Sequence, residues 1–172
     1  HELNSEQIKK LTEVAFKPGP DGEPAVNRDL VGKSAWVLAE HIGLKVSESL
    51  RMLIGETDSD HVFVQEEQMM PFLPIVRVAN VDEAIRLAII SEHGYKHTAI
   101  IHSRNIDNMH RMACAADTTI FVKNGPSFAG VGLGGEGFGT YSIAGPTGEG
   151  LTSPRTFTRQ RRCALVDYFR IT

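Results

Sequence analysis

Apolar residues recur at helical spacing from the start of the chain. Ile8, Leu11, Val14 and Ala15 fall on one face, and Asn4 with Gln7 has the form of a capping box in which each side chain reaches the other's backbone N–H. The pattern stops near Phe16, because Pro18, Gly19, Pro20, Asp21, Gly22 and Pro24 cannot extend a helix. A second helix is expected from about Asn27 to Ile42, weak at Gly32. Trp36, Val37, Leu38, Ala39 and Ile42 mark its apolar side, and Gly43 is a natural left-handed stop. Leu50 to Ile54 reads as a short strand.

The middle of the chain is the most regular. Phe72 to Val78 is an apolar, β-branched run, followed by Asn80 or Asp82 as a cap and a helix carrying Val81, Ala84, Ile85, Ala88 and Ile89 on one face, ending at Gly94. Thr98 to Ile101 forms the next strand. Ser103 to Asn105 caps a helix bearing Ile106, Met109, Met112 and Ala113, and Thr118 to Val122 adds another strand. Strands alternating with helices over short connections predict parallel strands crossed by helices, so the fold class is α/β. Ten of the sixteen glycines then fall between Gly125 and Gly150, and a loop this long is usually functional or mobile. From Arg155 to Phe169 the chain returns to β-like chemistry, with Thr156, Phe157, Thr158, Cys163, Ala164, Leu165 and Val166.

Composition narrows the function. At 172 residues the chain is long enough for one ordinary core, and a net charge of -3 gives no global attraction to nucleic acid or to acidic membranes. No apolar run approaches the roughly 18 residues of a membrane span, so neither a membrane nor a nucleic acid is expected as a partner. Two cysteines are too few for a disulfide framework, which makes a reducing cytoplasm the default. His1 stands at the start without methionine and a helix signal follows almost at once, which suggests a piece of a longer protein.

Several chemical patterns compete. Gly130-Val131-Gly132-Leu133-Gly134-Gly135 fits the dinucleotide fingerprint, but Glu136-Gly137-Phe138-Gly139 is poor material for the helix that must follow it. Gly32-Lys33-Ser34 resembles the end of a phosphate loop, yet Asn27 stands where its first glycine belongs. His93 and His97 have i, i+4 spacing interrupted by Gly94, and no Cys or carboxylate completes a ligand set, so no metal is expected. Cys114 lies mid-helix between alanines, where a buried inert thiol is the usual outcome, and Cys163 follows Arg161 and Arg162 in a strand-like run without a nearby histidine. The Arg159, Arg161, Arg162 cluster suits a phosphate, a charged strand edge or a subunit contact. Glu66 and Glu67 precede a strand, where they could accept hydrogen bonds from hydroxyls or be ordinary solvated carboxylates. The residues themselves give a soluble α/β unit and no complete catalytic set.

One longer series adds to this. Glu67-Gln68-Met69-Met70-Pro71-Phe72-Leu73-Pro74-Ile75-Val76-Arg77-Val78 resembles the Glu-x-x-x-Pro strand entrance of aldehyde dehydrogenases, in the wording of the CoA-acylating acetaldehyde and propionaldehyde dehydrogenases of ethanolamine and propanediol breakdown. The resemblance continues through His97-Thr98-Ala99, His102-Ser103-Arg104-Asn105, Phe121-Val122-Lys123-Asn124-Gly125-Pro126, Gly132-Leu133-Gly134-Gly135-Glu136-Gly137, Pro146-Thr147-Gly148-Glu149-Gly150 and Arg161-Arg162-Cys163-Ala164-Leu165-Val166-Asp167.

The resemblance implies a three-layer, parallel-stranded catalytic domain. Residues 1–154 would be its C-terminal part, including the glycine-rich loop 125–150, and residues 155–172 an oligomerisation strand and tail. The nucleophilic cysteine and the NAD domain of the family would lie upstream, so no catalytic residue is expected here and the isolated chain should be inactive. Glu67 would hold the nicotinamide ribose hydroxyls, a task suited to a carboxylate that accepts two hydrogen bonds from a vicinal diol. Met69 stands where many members have a Phe near the nicotinamide. Asn124, Ser127 and Phe128 would lie near the aldehyde pocket. The implied partners are a small aldehyde, NAD, coenzyme A as co-substrate and further copies of the chain, in the cytoplasm or inside a bacterial microcompartment. The competing expectation is a non-enzymatic assembly module acting through the C-terminal strand.

Overall fold

Helix α1 (Ser5–Ala15) begins with the expected capping box: the Asn4 side chain accepts from the Gln7 backbone N–H, and the Gln7 side chain accepts from that of Asn4. In this computed structural model, which describes residues 1–140, 143, 150–164 and 166, the chain divides into two compact units, His1–Glu92 and His93–Thr172.

The first unit contains α1, a small antiparallel hairpin of β1 (Phe16–Pro18) and β2 (Pro24–Val26), then α2 (Ala35–His41), β3 (Leu53–Thr57), α3 (Val62–Gln65), β4 (Phe72–Val76) and α4 (Val81–Ser91). Strands β3 and β4 pair in parallel, from Leu53 opposite Phe72 to Thr57 opposite Val76. Helix α1 lies against β3: a Cβ added at Gly55 would stand 2.6 Å from Ile8 Cδ1 and 3.3 Å from the Phe72 ring. Leu11, Leu38 and Leu53 are fully buried. Phe63 meets Phe16 and Phe72 edge-on, at centroid distances of 5.0 and 4.6 Å. Such pairs add about 0.5–1.5 kcal/mol each beyond their buried area.

The second helix differs from expectation. It starts at Ala35, because residues 28–32 form turns and Gly32 sits at φ 70. Asn27 does not begin a helix. It is buried, its side-chain NH2 donates to the Val14 carbonyl, and its backbone N–H donates to Ala15, so it satisfies carbonyls orphaned at the end of α1. The strand expected at Leu50 begins instead at Leu53, where pairing with β4 starts. Helix α3 and the β1–β2 hairpin had no local signal.

In the second unit, β5 (Thr98–Ile101), α5 (Ile106–Ala116) and β6 (Ile120–Lys123) form a parallel crossover, with Thr98 opposite Ile120 and Ile101 opposite Lys123. A 3-10 turn at Ser127–Val131 follows β6, and a second spans Pro154–Phe157. Ile120, Val122 and Val131 form a small core, joined by Ala129, Ile143 and Leu151. The parallel pairing in each unit confirms the α/β class. Thr156 and Phe157 lie in a tight turn where extended chain was expected. Residues 144–149 of the glycine loop, and Leu165 with 167–172 of the tail, lie outside the described residues.

Candidate functional site

Glu67 and Met69 belong to the first unit, on the segment that leads from α3 into β4. The Glu66 N–H donates to Val62 and closes α3. Met69 then adopts a left-handed backbone, φ 52, and its carbonyl accepts from the Gly32 N–H at 3.1 Å. The Gln68 side chain accepts from the Met70 N–H at 3.0 Å, and Met70 is buried in the core. The segment is therefore tied down from both sides. The Glu67 carboxylate is exposed and has no hydrogen-bond partner among the described residues, while the Met69 side chain is 68% exposed.

Asn124, Ser127 and Phe128 lie together in the second unit, at the C-terminal end of the parallel β5–β6 pair. Ligands of open α/β sheets gather at such strand ends. Asn124 is committed to the backbone. Its Oδ1 accepts from the Ser103 N–H at 2.8 Å, its Nδ2 donates to the Ser103 carbonyl at 2.9 Å, and its own N–H donates to Ile101 at 2.8 Å. Its amide works like one more rung of the ladder, at φ 55, a conformation asparagine tolerates better than most residues. Ser127 opens the 3-10 turn with its hydroxyl exposed, and Phe128 is 51% exposed. So the structure groups these three, and groups Glu67 with Met69, in separate units.

The glycine loop is shaped by close backbone contact. A Cβ at Gly137 would strike the Gly130 carbonyl, and one at Gly135 would lie 2.5 Å from that of Ala129. Bends rather than a helix follow Gly135, so the dinucleotide fingerprint lacks its required context. His93 and His97 share no helix, since α4 ends at Ser91 and His93 takes a left-handed φ of 56.

Two features were not legible beforehand. Cys114 is exposed, contrary to the expected buried thiol, and its Sγ lies 3.7 Å from Nε2 of His110. A groove of about 520 Å³ runs beside α1 and the end of β3, lined by Ser5, Lys9, Glu13, Thr57, Asp58 and His61 among others. The Thr57 hydroxyl there is buried and has no hydrogen-bond partner among the described residues. Nearby, Arg77 holds Glu56 bidentately, Nε to Oε1 at 3.0 Å and Nη2 to Oε2 at 2.8 Å. These hydrogen bonds, then the guanidinium charge, hold the Glu56 carboxyl below its usual range.

No protein-family model matches the chain. Known proteins do. It is 56% identical over 170 residues to the acetaldehyde dehydrogenase (acetylating) EutE of Salmonella typhimurium, across 98% of this chain and 36% of that protein. The propanal dehydrogenase (CoA-propanoylating) of Citrobacter freundii is 51% identical over the same shares. Among solved structures, the Rhodopseudomonas palustris propionaldehyde dehydrogenase with bound propionyl-CoA superposes with a TM-score of 0.85 at 48% identity, over 96% of this chain and 36% of that one. An engineered glycolyl-CoA reductase with bound NADP+ matches at 0.85 and 48%, over 96% of this chain and 37% of that one. The propionaldehyde dehydrogenase of the Clostridium phytofermentans fucose utilisation bacterial microcompartment matches at 0.84 and 46%, over 98% of this chain and 38% of that one. The chain is a homologue of the CoA-acylating acetaldehyde and propanal dehydrogenases, and it spans a little over one third of the length of those relatives.

Proposed function

We propose that this chain is the C-terminal portion of an NAD-dependent, CoA-acylating aldehyde dehydrogenase that converts a short-chain aldehyde, coenzyme A and NAD into acyl-CoA and NADH. Alone it is inactive, because the nucleophilic thiol and the nucleotide-binding domain belong to the part of the enzyme it does not span. The observation that carries this proposal is 56% identity sustained over 98% of the chain with an acetylating acetaldehyde dehydrogenase.

The residues present suit the assigned tasks. Glu67 offers an unengaged carboxylate on a fixed backbone, which fits a ribose diol. Met69 supplies an exposed apolar surface beside it for the nicotinamide ring. The cofactor accepts the hydride, and the contribution of this chain is to position it. Asn124 holds the strand ends from which Ser127 and Phe128 form one wall of the aldehyde pocket. Residues 155–172 act in assembly with further copies: residues 159–164 carry no secondary structure, and Phe157 and Val166 are 69% and 84% exposed. A cell that packages the enzyme in a microcompartment, as the Clostridium relative is packaged, would confine the aldehyde with it.

The test is a graft of this chain into the Salmonella enzyme in place of the matched segment. The graft should form NADH from acetaldehyde, NAD and CoA, while the purified chain should form none. Glu67→Gln in the graft should raise KM for NAD by about tenfold, as expected for loss of a charged hydrogen bond, with KM for CoA little changed. A soluble graft without CoA-dependent turnover, or robust turnover by the chain alone, would refute the proposal. Unchanged NAD kinetics would remove Glu67 from the ribose.

A further inference from the structure

The proposed enzyme chemistry makes no use of His110 and Cys114. They stand one turn apart on α5, both exposed, on the face opposite the buried Met112 and Ala116. The sulfur lies 3.7 Å from Nε2 and 3.8 Å from Nδ1 of the imidazole. Imidazole nitrogen with thiolate sulfur is the donor set that soft and borderline divalent cations prefer.

We propose that His110 and Cys114 form a two-point chelating site for a thiophilic divalent cation of the zinc or cobalt type. The distance supports this. Bonds of ~2.3 Å to sulfur and ~2.0–2.1 Å to nitrogen, at a tetrahedral angle, set the two donors about 3.6 Å apart. Donors one helical turn apart on one face are spaced to share a metal, and the 3.7 Å contact shows that these two side chains already meet. Because the two ring nitrogens are nearly equidistant from the sulfur, the imidazole must turn about its Cβ–Cγ bond to aim one lone pair at the metal. That torsion is broad in histidine, and the ring is exposed. Cys114 lies in the last turn of α5, where the helix dipole favours a cation. Binding replaces the thiol proton: the Cys114 S–H bond breaks, a sulfur–metal bond forms, and the proton goes to solvent. Among the described residues no group of three or more His, Cys, Asp or Glu completes a cage, so water holds the remaining positions and the site is an exchangeable one.

Cobalt(II) alone is the probe, titrated into the reduced, purified chain and followed by the thiolate-to-cobalt charge-transfer band in the near ultraviolet. One cation per chain should bind with that band. Cys114→Ser should abolish the band, and Cys163→Ser, which alters an exposed cysteine with no described histidine neighbour, should leave it intact. His110→Gln should weaken binding at least ~tenfold, since even an outer-shell partner of a metal ligand is worth about 10–100-fold. Circular dichroism of each variant checks that α5 still forms. A band that survives Cys114→Ser, vanishes with Cys163→Ser, or keeps its affinity in a folded His110→Gln variant overturns the proposal, as does absence of any band in the parent chain.

Discussion

Replacing Asn124 tests whether its side chain closes the end of the β5–β6 pair. Asn124→Ala removes two hydrogen bonds, to the N–H and the carbonyl of Ser103, and leaves an alanine at φ 55. Both bonds are exposed, so each is worth the low end of the usual range, about 0.5 kcal/mol. The left-handed backbone adds about 1 kcal/mol for a residue with a Cβ and no compensating side chain. The total is about 2 kcal/mol, or roughly 30-fold at 1.4 kcal/mol per decade. Asn124→Gly loses the same two bonds without the steric term but adds chain entropy of about 0.5 kcal/mol, so roughly tenfold is expected. Unfolding curves suit this poorly, because the lone tryptophan, Trp36, lies in the other unit. Amide hydrogen exchange, run where the rate follows the opening equilibrium, reads the site directly. The amides of Ser103, Asn124 and the β5–β6 ladder should exchange faster in the order Ala, then Gly, then the parent, with those of β3 and β4 unchanged. Equal exchange in the Ala variant and the parent would show that the amide clamps nothing. Equal acceleration in Ala and Gly would remove the backbone term from the account.

Trp36 does serve for the first unit. Gly55→Ala forces a methyl against Ile8, with Phe72 closing the other side, and such overpacking costs about 1–3 kcal/mol; the urea midpoint read by Trp36 fluorescence should fall, and an unchanged or higher midpoint would show that Ile8 yields freely. For the C-terminal segment, truncation after Pro154 in the grafted enzyme should lower the sedimenting mass, and an unaltered mass would exclude residues 155–172 from assembly.

What was legible in the sequence was local. Asn4, Asn80 and Asn105 each accept hydrogen bonds from the first turn of the helix they precede, and each sits beside an apolar stripe, so α1, α4 and α5 were visible in advance. The start of α2 was not, since Asn27 is claimed by the end of α1 and the Gly32 N–H by Met69, 37 positions away. Propensity carries no record of such pairings. The hairpin of β1 and β2 was hidden in a run of proline and glycine that reads only as a helix breaker. The exposure of Cys114 follows from which side of α5 faces the core, and Met112 and Ala116 decide that side. Composition and spacing did not distinguish Glu67 from Glu66; only the resemblance did, because both are exposed carboxylates in the fold.

The backbone separates two kinds of strained residue at these candidate positions. Met69 and Asn124 both hold a left-handed φ, at 52 and 55. Asn124 accounts for its own: an asparagine adopts that region at low cost, and its amide bonds to Ser103 follow from it. Met69 has no such account, since a thioether forms no local hydrogen bond that favours the left-handed region. Its conformation is imposed from outside, by the Gly32 N–H on its carbonyl and by the Gln68 side chain on the next N–H, while Met70 is anchored in the core. Strain of this kind, about 1–2 kcal/mol for a residue with a Cβ, persists only where the surroundings over-determine it. What the constraint produces is a turn anchored at the Met69 carbonyl and the Met70 N–H, whose exposed Glu67 carboxylate and Met69 thioether have no hydrogen-bond partner among the described residues. A carboxylate beside an apolar surface matches a ribose joined to a planar ring. The strain at Met69 fixes the backbone that presents these two groups; the proposed cofactor contact itself rests on the resemblance, and Glu67→Gln in the grafted enzyme tests it.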